Sequence, residues 1–250
     1  MRKTTCVIMV ILCAAACHSP VDMTLLSNWK SLPAPVSSDS IAKNSSSVTN
    51  WWVYLKNDMV RVSDKGISPR LPFRVDEDKD DKIQISFLKV DNGFLVGFYR
   101  GEWGGSLNWF SSDGKKRYKI SEDEVVQFIK RSGKNYALQG LAHAGMSKGS
   151  IINIEKINDK WVAQQYLELP TAPYAITLDK KNNFLIITSK SLFMVDSSAT
   201  IHTLINRGLW WTRLHPTSIV VKDSLVFAGM SDGVYQYNSE SGEKSWLTNH

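Results

Sequence analysis

The feature that most constrains this chain is a repeat. Strongly apolar runs begin at Trp51, Phe94, Tyr136, Phe184 and Leu225, with starts separated by 43, 42, 48 and 41 residues. Each run is short, rich in Val, Ile, Leu and aromatic residues, and bounded by turn formers, which is how a buried strand reads in sequence. A second run with alternating character follows at Met59–Val62, Leu107–Phe110, Ile151–Ile154, Leu192–Val195 and Val234–Tyr237. Then comes a turn, as at Asp64-Lys65-Gly66, Asp113-Gly114, Asn158-Asp159 and Glu240-Ser241-Gly242, and often a more polar strand such as Trp161–Leu167. Two late units also align at their first residues, Pro173-Tyr174-Ala175-Ile176 and Pro216-Thr217-Ser218-Ile219, 43 residues apart. Almost no window carries a helical period. The pattern predicts an all-β chain.

One four-stranded sheet cannot cover both of its faces, whereas neighbours arranged about an axis bury them against one another. Units of this length, each an up-and-down sheet, resemble the blades of β-propellers. The resemblance implies a small β-propeller of about five four-stranded blades over residues 51–250, or six if the preceding segment adds strands. It is a resemblance to the architecture rather than to a named family, because neither a Trp-Asp nor a kelch signature is present. Another all-β fold, such as a sandwich, is the alternative.

The N-terminus carries a different message. Arg2 and Lys3 precede an apolar run from Cys6 to Ala16, and the chain turns polar at His18-Ser19-Pro20. That is the layout of a secretory signal. The run is much shorter than the roughly 20 residues that cross a bilayer. Ala14, Ala15 and Ala16 stand directly before Cys17, an arrangement that resembles the lipobox of bacterial lipoproteins, although Ala14 occupies the place where that family usually has Leu. The resemblance implies cleavage after residue 16, lipidation of Cys17 and, with His18 rather than Asp next, transfer to the outer membrane facing the periplasm. Cys6 and Cys13 leave with such a signal, so Cys17 becomes the only cysteine of the mature chain and no intramolecular disulfide can form. Residues 17–50 are crowded with Ser, Asn, Thr and Pro and lack a sustained apolar period. They read as a lipid-anchored flexible tether.

Charge excludes one class of partner. The chain has 30 basic and 24 acidic residues, and loss of Arg2 and Lys3 leaves 28 against 24, scattered without a Lys/Arg block. A nucleic-acid footprint is absent.

Four local patterns bear on chemistry. Gly145-Met146-Ser147-Lys148-Gly149 matches the G-x-S-x-G elbow, but an Ile-rich strand follows it instead of a helix that could help build an oxyanion hole, so Ser147 reads as a turn residue. Asp76, Asp78 and Asp80 alternate as calcium-loop carboxylates do, yet Asp81 stands where the turn glycine belongs and Phe87 where the bidentate Glu belongs. That run reads as a solvated loop. Ser86-Phe87-Leu88-Lys89 spells S-x-x-K within a β-alternating stretch that sends Ser86 and Lys89 to opposite faces. The five His are isolated in sequence and lack zinc-ligand spacing.

The candidate partner-binding residues are aromatic. Trp103 sits among glycines in Gly101-Glu102-Trp103-Gly104-Gly105, where an exposed ring can act as an anchor beside Glu102. Trp210 and Trp211, followed by Arg213 and His215, add a second cluster. Without a catalytic or metal constellation, the sequence reads as a non-catalytic envelope lipoprotein with no cofactor. It would bind a protein partner in the periplasm or envelope, in its most concrete form as an immunity or inhibitor protein against a periplasm-acting toxin. The alternatives are an outer-membrane assembly scaffold and a glycan-binding or glycan-active propeller.

Overall fold

The computed structural model describes residues 24–37, 41, 48–66, 70–75, 83–143, 145–210 and 213–249. The signal segment, Cys17, the carboxylates Asp76, Asp78 and Asp80, and Trp211 lie outside the described residues.

In chain order the strands are β1 (Thr24–Leu25), β2 (Lys30–Pro33), β3 (Trp52–Lys56) and β4 (Met59–Ser63). The second unit holds β5 (Gln84–Val90), β6 (Gly93–Tyr99), β7 (Gly105–Ser111) and β8 (Arg117–Ser121). The third holds β9 (Val125–Arg131), β10 (Lys134–His143), β11 (Met146–Ile157) and β12 (Lys160–Leu169). The fourth holds β13 (Pro173–Leu178), β14 (Phe184–Thr188), β15 (Leu192–Val195) and β16 (Ile201–Ile205). The last holds β17 (Ser218–Lys222), β18 (Leu225–Met230), β19 (Gly233–Asn238) and β20 (Lys244–Thr248).

These strands form five antiparallel sheets. Three are four-stranded meanders in sequence order, β5 to β8, β9 to β12 and β13 to β16. A three-stranded sheet has the order β1-β4-β3, and a five-stranded sheet has the order β17-β18-β19-β20-β2. The first strands of successive units pack side by side around an axis, β5 on β9, β9 on β13, β13 on β17 and β17 on β3. The chain is a five-bladed β-propeller.

Local sequence explains the hairpins. Asn57-Asp58 and Asn158-Asp159 both take positive φ at two successive residues, the turn geometry whose twist matches that of the flanking strands. In the hairpin between β13 and β14, the Asp179 carboxylate accepts from the backbone N–H of Lys181 and Asn183 at 2.7 and 2.8 Å.

Apolar strands sit where blade meets blade. All five residues of β14 are buried, and Phe184 and Ile186 share a core with Tyr136, Leu138 and Ile151 of the preceding blade. The next interface gathers Leu185, Ile187, Val226, Ala228 and Trp246. Polar clamps fix the register between blades. Gln127 on β9 donates to the Ile176 carbonyl and accepts from the Ile176 N–H at 3.0 and 3.1 Å. Asn92 accepts from the indole N–H groups of both Trp109 and Trp161 at 3.2 Å, linking the second blade to the third.

Two sequence expectations need correction. The run at Trp51 is not equivalent to the other four. The runs at Phe94, Tyr136, Phe184 and Leu225 are the second strands of their blades, while Trp52–Lys56 is the first strand of its own. Residues 17–50 are also not a tether throughout. β1 pairs with β4 and β2 with β20, so residues 24–33 run from the first sheet to the last, and Leu26 and Trp29 between them are buried. The physical reason is long range: the outer edge of β20 supplies unsatisfied backbone groups, and the Val62, Phe227 and Leu247 side chains supply the apolar face.

The seam that closes the ring is well bonded. Trp51 N–H donates to the Met230 carbonyl at 3.0 Å, Val53 N–H to Ser218 Oγ at 2.7 Å, and Asp232 N–H to the Thr49 carbonyl at 2.7 Å. Between the first and second blades, residues 71–75 cover a sheet face. Phe73 stacks on Phe110 at 5.6 Å and meets Phe94 edge on at the same distance. Among the described residues no helix is long and apolar enough to cross a membrane.

Candidate functional site

The connections that follow β4, β6, β8, β10, β12, β14, β16 and β18 all emerge at one end of the ring, together with residues 49–51. Hydrogen bonds tie them to one another. The Gly140 N–H donates to the Glu124 carbonyl at 3.2 Å and the Ser189 N–H to the Ala172 carbonyl at 2.8 Å. Inside this end lies a cavity of about 1150 Å³, lined by residues of every blade and by Arg70–Arg74.

The polar lining comes from the first and second strands of the blades and from the residues just before them. Tyr99 ends β6, Ser86 lies on β5, Tyr174 follows Pro173 at the start of β13, and His215 precedes β17. The imidazole of His215 meets the ring of Tyr174 edge on at 6.4 Å. Burial pushes the phenol pKa of Tyr174 up. Burial, the Glu124 carboxylate and Tyr174 together push Tyr99 up. Both phenols therefore keep their protons across the neutral range and can donate to a ligand. Burial also raises the Glu124 carboxyl, a shift that Lys148 partly offsets. Ser86 Oγ is buried and has no hydrogen-bond partner among the described residues. Trp52, Phe73 and Phe87 give the cavity its apolar walls. This set can hydrogen-bond and stack a ligand, and Glu124 and His215 are the groups near it with acid–base chemistry.

On the rim, Gly101–Trp103 forms one 3-10 turn between β6 and β7. Gly101 and Gly104 take φ of 60° and 82°, values that favour glycine, and no atom beyond their chain neighbours would meet a Cβ there. The turn is tied to the next blade, because His143 Nε2 lies 2.7 Å from Glu102 Oε2. Trp103 is 78% exposed, and Met146, in the neighbouring hairpin on the same rim, is 56% exposed.

The other expected site residues divide. Arg213 and His215 are exposed at the same end of the ring. Trp210 is 2% exposed and belongs to the core, so its place among the partner-binding candidates is corrected. Its indole N–H donates to the Thr188 carbonyl at 3.0 Å, its ring packs edge on against Tyr235 at 5.2 Å, and a Cβ on Gly208 would fall 2.3 Å from it. Ser147 lies within β11, paired with Ala142, and not on a strand-to-helix turn. Its Oγ accepts from the Ala172 N–H at 2.9 Å and lies 3.1 Å from Ser189 Oγ, which joins the third blade to the fourth.

Sequence reasoning missed Tyr99, Glu124, Tyr174, Ser86, Arg70 and Arg74. One signal pointed to Tyr174. The aligned Pro173 and Pro216 mark where two innermost strands begin, and the residues around each line the cavity.

Comparison with known proteins finds distant structural similarity alone. No protein family and no curated protein matches the sequence. Among solved structures, virginiamycin B lyase from Staphylococcus aureus is similar at 16% identity and a TM-score of 0.47, over 68% of this chain and 56% of that one. A streptogramin B lyase is similar at 16% identity and a TM-score of 0.45, over 67% and 54%. PorZ of Porphyromonas gingivalis, a surface component of the type-IX secretion system, is similar at 10% identity and a TM-score of 0.44, over 65% and 26%. The chain thus spans little more than half the length of these lyases. Such likeness shows the fold alone. The expectation that the chain is not an enzyme is withdrawn, because the lack of a local motif is no argument against catalysis by a site assembled from residues distant in sequence. No reaction is thereby assigned to this chain.

Proposed function

We propose that this β-propeller is an envelope lipoprotein that captures a protein partner with the rim at the mouth of its cavity. One observation carries the reading. Trp103 is a large aromatic ring left 78% exposed on a turn that is itself held to the next blade through Glu102 and His143. An exposed Trp usually costs solubility, but on a braced turn it loses little conformational freedom on binding and can fill a partner's pocket. Met146 extends the same apolar spot, and the exposed Arg213 and His215 provide polar groups at the same end.

The address follows from the N-terminal sequence. A signal segment ending in Ala14-Ala15-Ala16-Cys17 supports lipidation of Cys17 and placement at the outer membrane, facing the periplasm. Blocking an incoming toxin, as immunity proteins do, is the specific form of capture that this placement suits. Site-specific photo-crosslinking from position 103 in the intact envelope tests the reading, and a discrete covalent adduct is the expected result.

A further inference from the structure

We propose that the central cavity is a separate binding site for a small molecule that joins an aromatic body to an anionic group, a carboxylate or a phosphate. The argument rests on what lines the space. At about 1150 Å³ the cavity exceeds most drug-sized sites slightly and is open at the rim, so a small ligand can enter it. Its described lining contains two arginines, Arg70 and Arg74, and the imidazole of His215, while the carboxyl of Glu124 acts on Tyr99 from just outside the lining and is shifted toward its neutral form by burial. The phenols of Tyr99 and Tyr174 add hydrogen-bond donors to the same lining.

Guanidinium groups and phenol donors in excess of carboxylates among the described residues select for an oxyanion, and Arg does so through paired N–H groups. The apolar walls select for the rest of the ligand. Trp52, Phe73 and Phe87 stand in the same lining, and flat aromatic faces favour a flat aromatic guest. Each blade contributes to the lining. A guest that binds there would raise the stability of the fold by mass action. This site shares His215 with the proposed capture surface but contains none of Trp103, Glu102 and His143, so its test does not depend on the capture of a protein.

The test is ¹⁹F NMR on the purified mature chain with three matched probe sets: fluorobenzoates, fluorophenyl phosphates, and neutral fluorobenzamides. The expected result is binding of at least one anionic set, at least tenfold tighter than the benzamides. The set that binds also distinguishes carboxylate from phosphate. The exposed pair Arg70→Gln with Arg74→Gln should weaken that binding at least tenfold, and Tyr174→Phe about threefold, while Lys181→Gln, on the opposite end of the ring, changes nothing. Thermal unfolding of each variant without ligand confirms that the fold is retained. Equal binding of benzamides and anions, unchanged binding in the double Arg variant, or no binding by any set would overturn the proposal.

Discussion

The indole of Trp29 meets the ring of Trp51 edge on, with centroids 4.7 Å apart, and so fastens the N-terminal segment to the residue that opens the first blade. Trp29 is also packed with Val53, Val62, Phe227 and Leu247, side chains of the first and last blades. The strap from β1 to β2 therefore closes the ring from outside, where the first sheet is short of strands. Trp29→Ala should lower stability by about 3 to 5 kcal/mol, the usual cost of emptying a buried Trp site. Urea unfolding followed by far-ultraviolet circular dichroism checks this, and a loss below about 1 kcal/mol would mean that the strap is not part of the closure.

Arg131 is a second buried joint. It is 8% exposed, its guanidinium lies 4.1 Å from the centroid of the Phe184 ring, and it donates to Tyr166 Oη at 2.9 Å. Tyr136 adds a further ring at 5.5 Å. A flat cation among three aromatic rings is a role that Lys cannot fill with the same geometry. Arg131→Lys should therefore cost about 1 to 2 kcal/mol in urea unfolding, far more than an exposed Arg-to-Lys change.

Acid should destabilise the propeller through carboxylates at the end opposite the cavity. Hydrogen bonds from His202, Ser198 and the Thr200 backbone hold the Asp196 carboxyl well below its ordinary value. Ser111 and the Lys115 backbone lower Asp113, and Lys180 lowers Asp223. These groups take up protons at higher pH in the unfolded chain than in the fold. Their stabilisation is thus complete above the ordinary aspartate pKa of 3.8 and is lost as the pH falls below it. Glu124 has the opposite sign: its raised pKa means that its contribution fades as the pH rises through that value. Urea midpoints measured from pH 7 down to pH 3 should fall, and Asp196→Asn should show a shallower fall. Glu124→Gln should gain more, relative to the parent chain, at pH 7 than at pH 4.

The blade repeat was legible because four of the five blades largely bury their second strand on both faces, which writes runs such as Phe184–Thr188 into the sequence. The Pro173 and Pro216 alignment was legible for a related reason, since two blades begin in the same way. The partner of β2 was not. Lys30–Pro33 is exposed along its length, so the strand carries no apolar signature, and its existence depends on the edge of β20 at the far end of the chain. The two tryptophan clusters show the same limit. Glycines flank Trp103 and leave it open, while Gly208 stands beside Trp210 because the indole fills the space a side chain would need. Local composition does not distinguish the two, and only the packing does. The cavity was invisible because Ser86, Tyr99, Tyr174 and His215 converge from three blades.

The N-terminus offers a direct chemical check. Mass spectrometry of the mature chain should find Cys17 as the first residue with a thioether-linked diacylglycerol, and Cys17→Ser should release the protein from membranes. An unmodified cysteine at the mature N-terminus would remove the anchor from the account.

The central claim is capture of a protein at the cavity rim. It is tested most directly by photo-crosslinking in intact envelopes with p-benzoylphenylalanine at Trp103, and in parallel at Asp159, whose exposed side chain lies on the opposite end of the ring. The account predicts a discrete adduct of defined mass from position 103 and none from position 159. No adduct from position 103, or the same adducts from both positions, would contradict it.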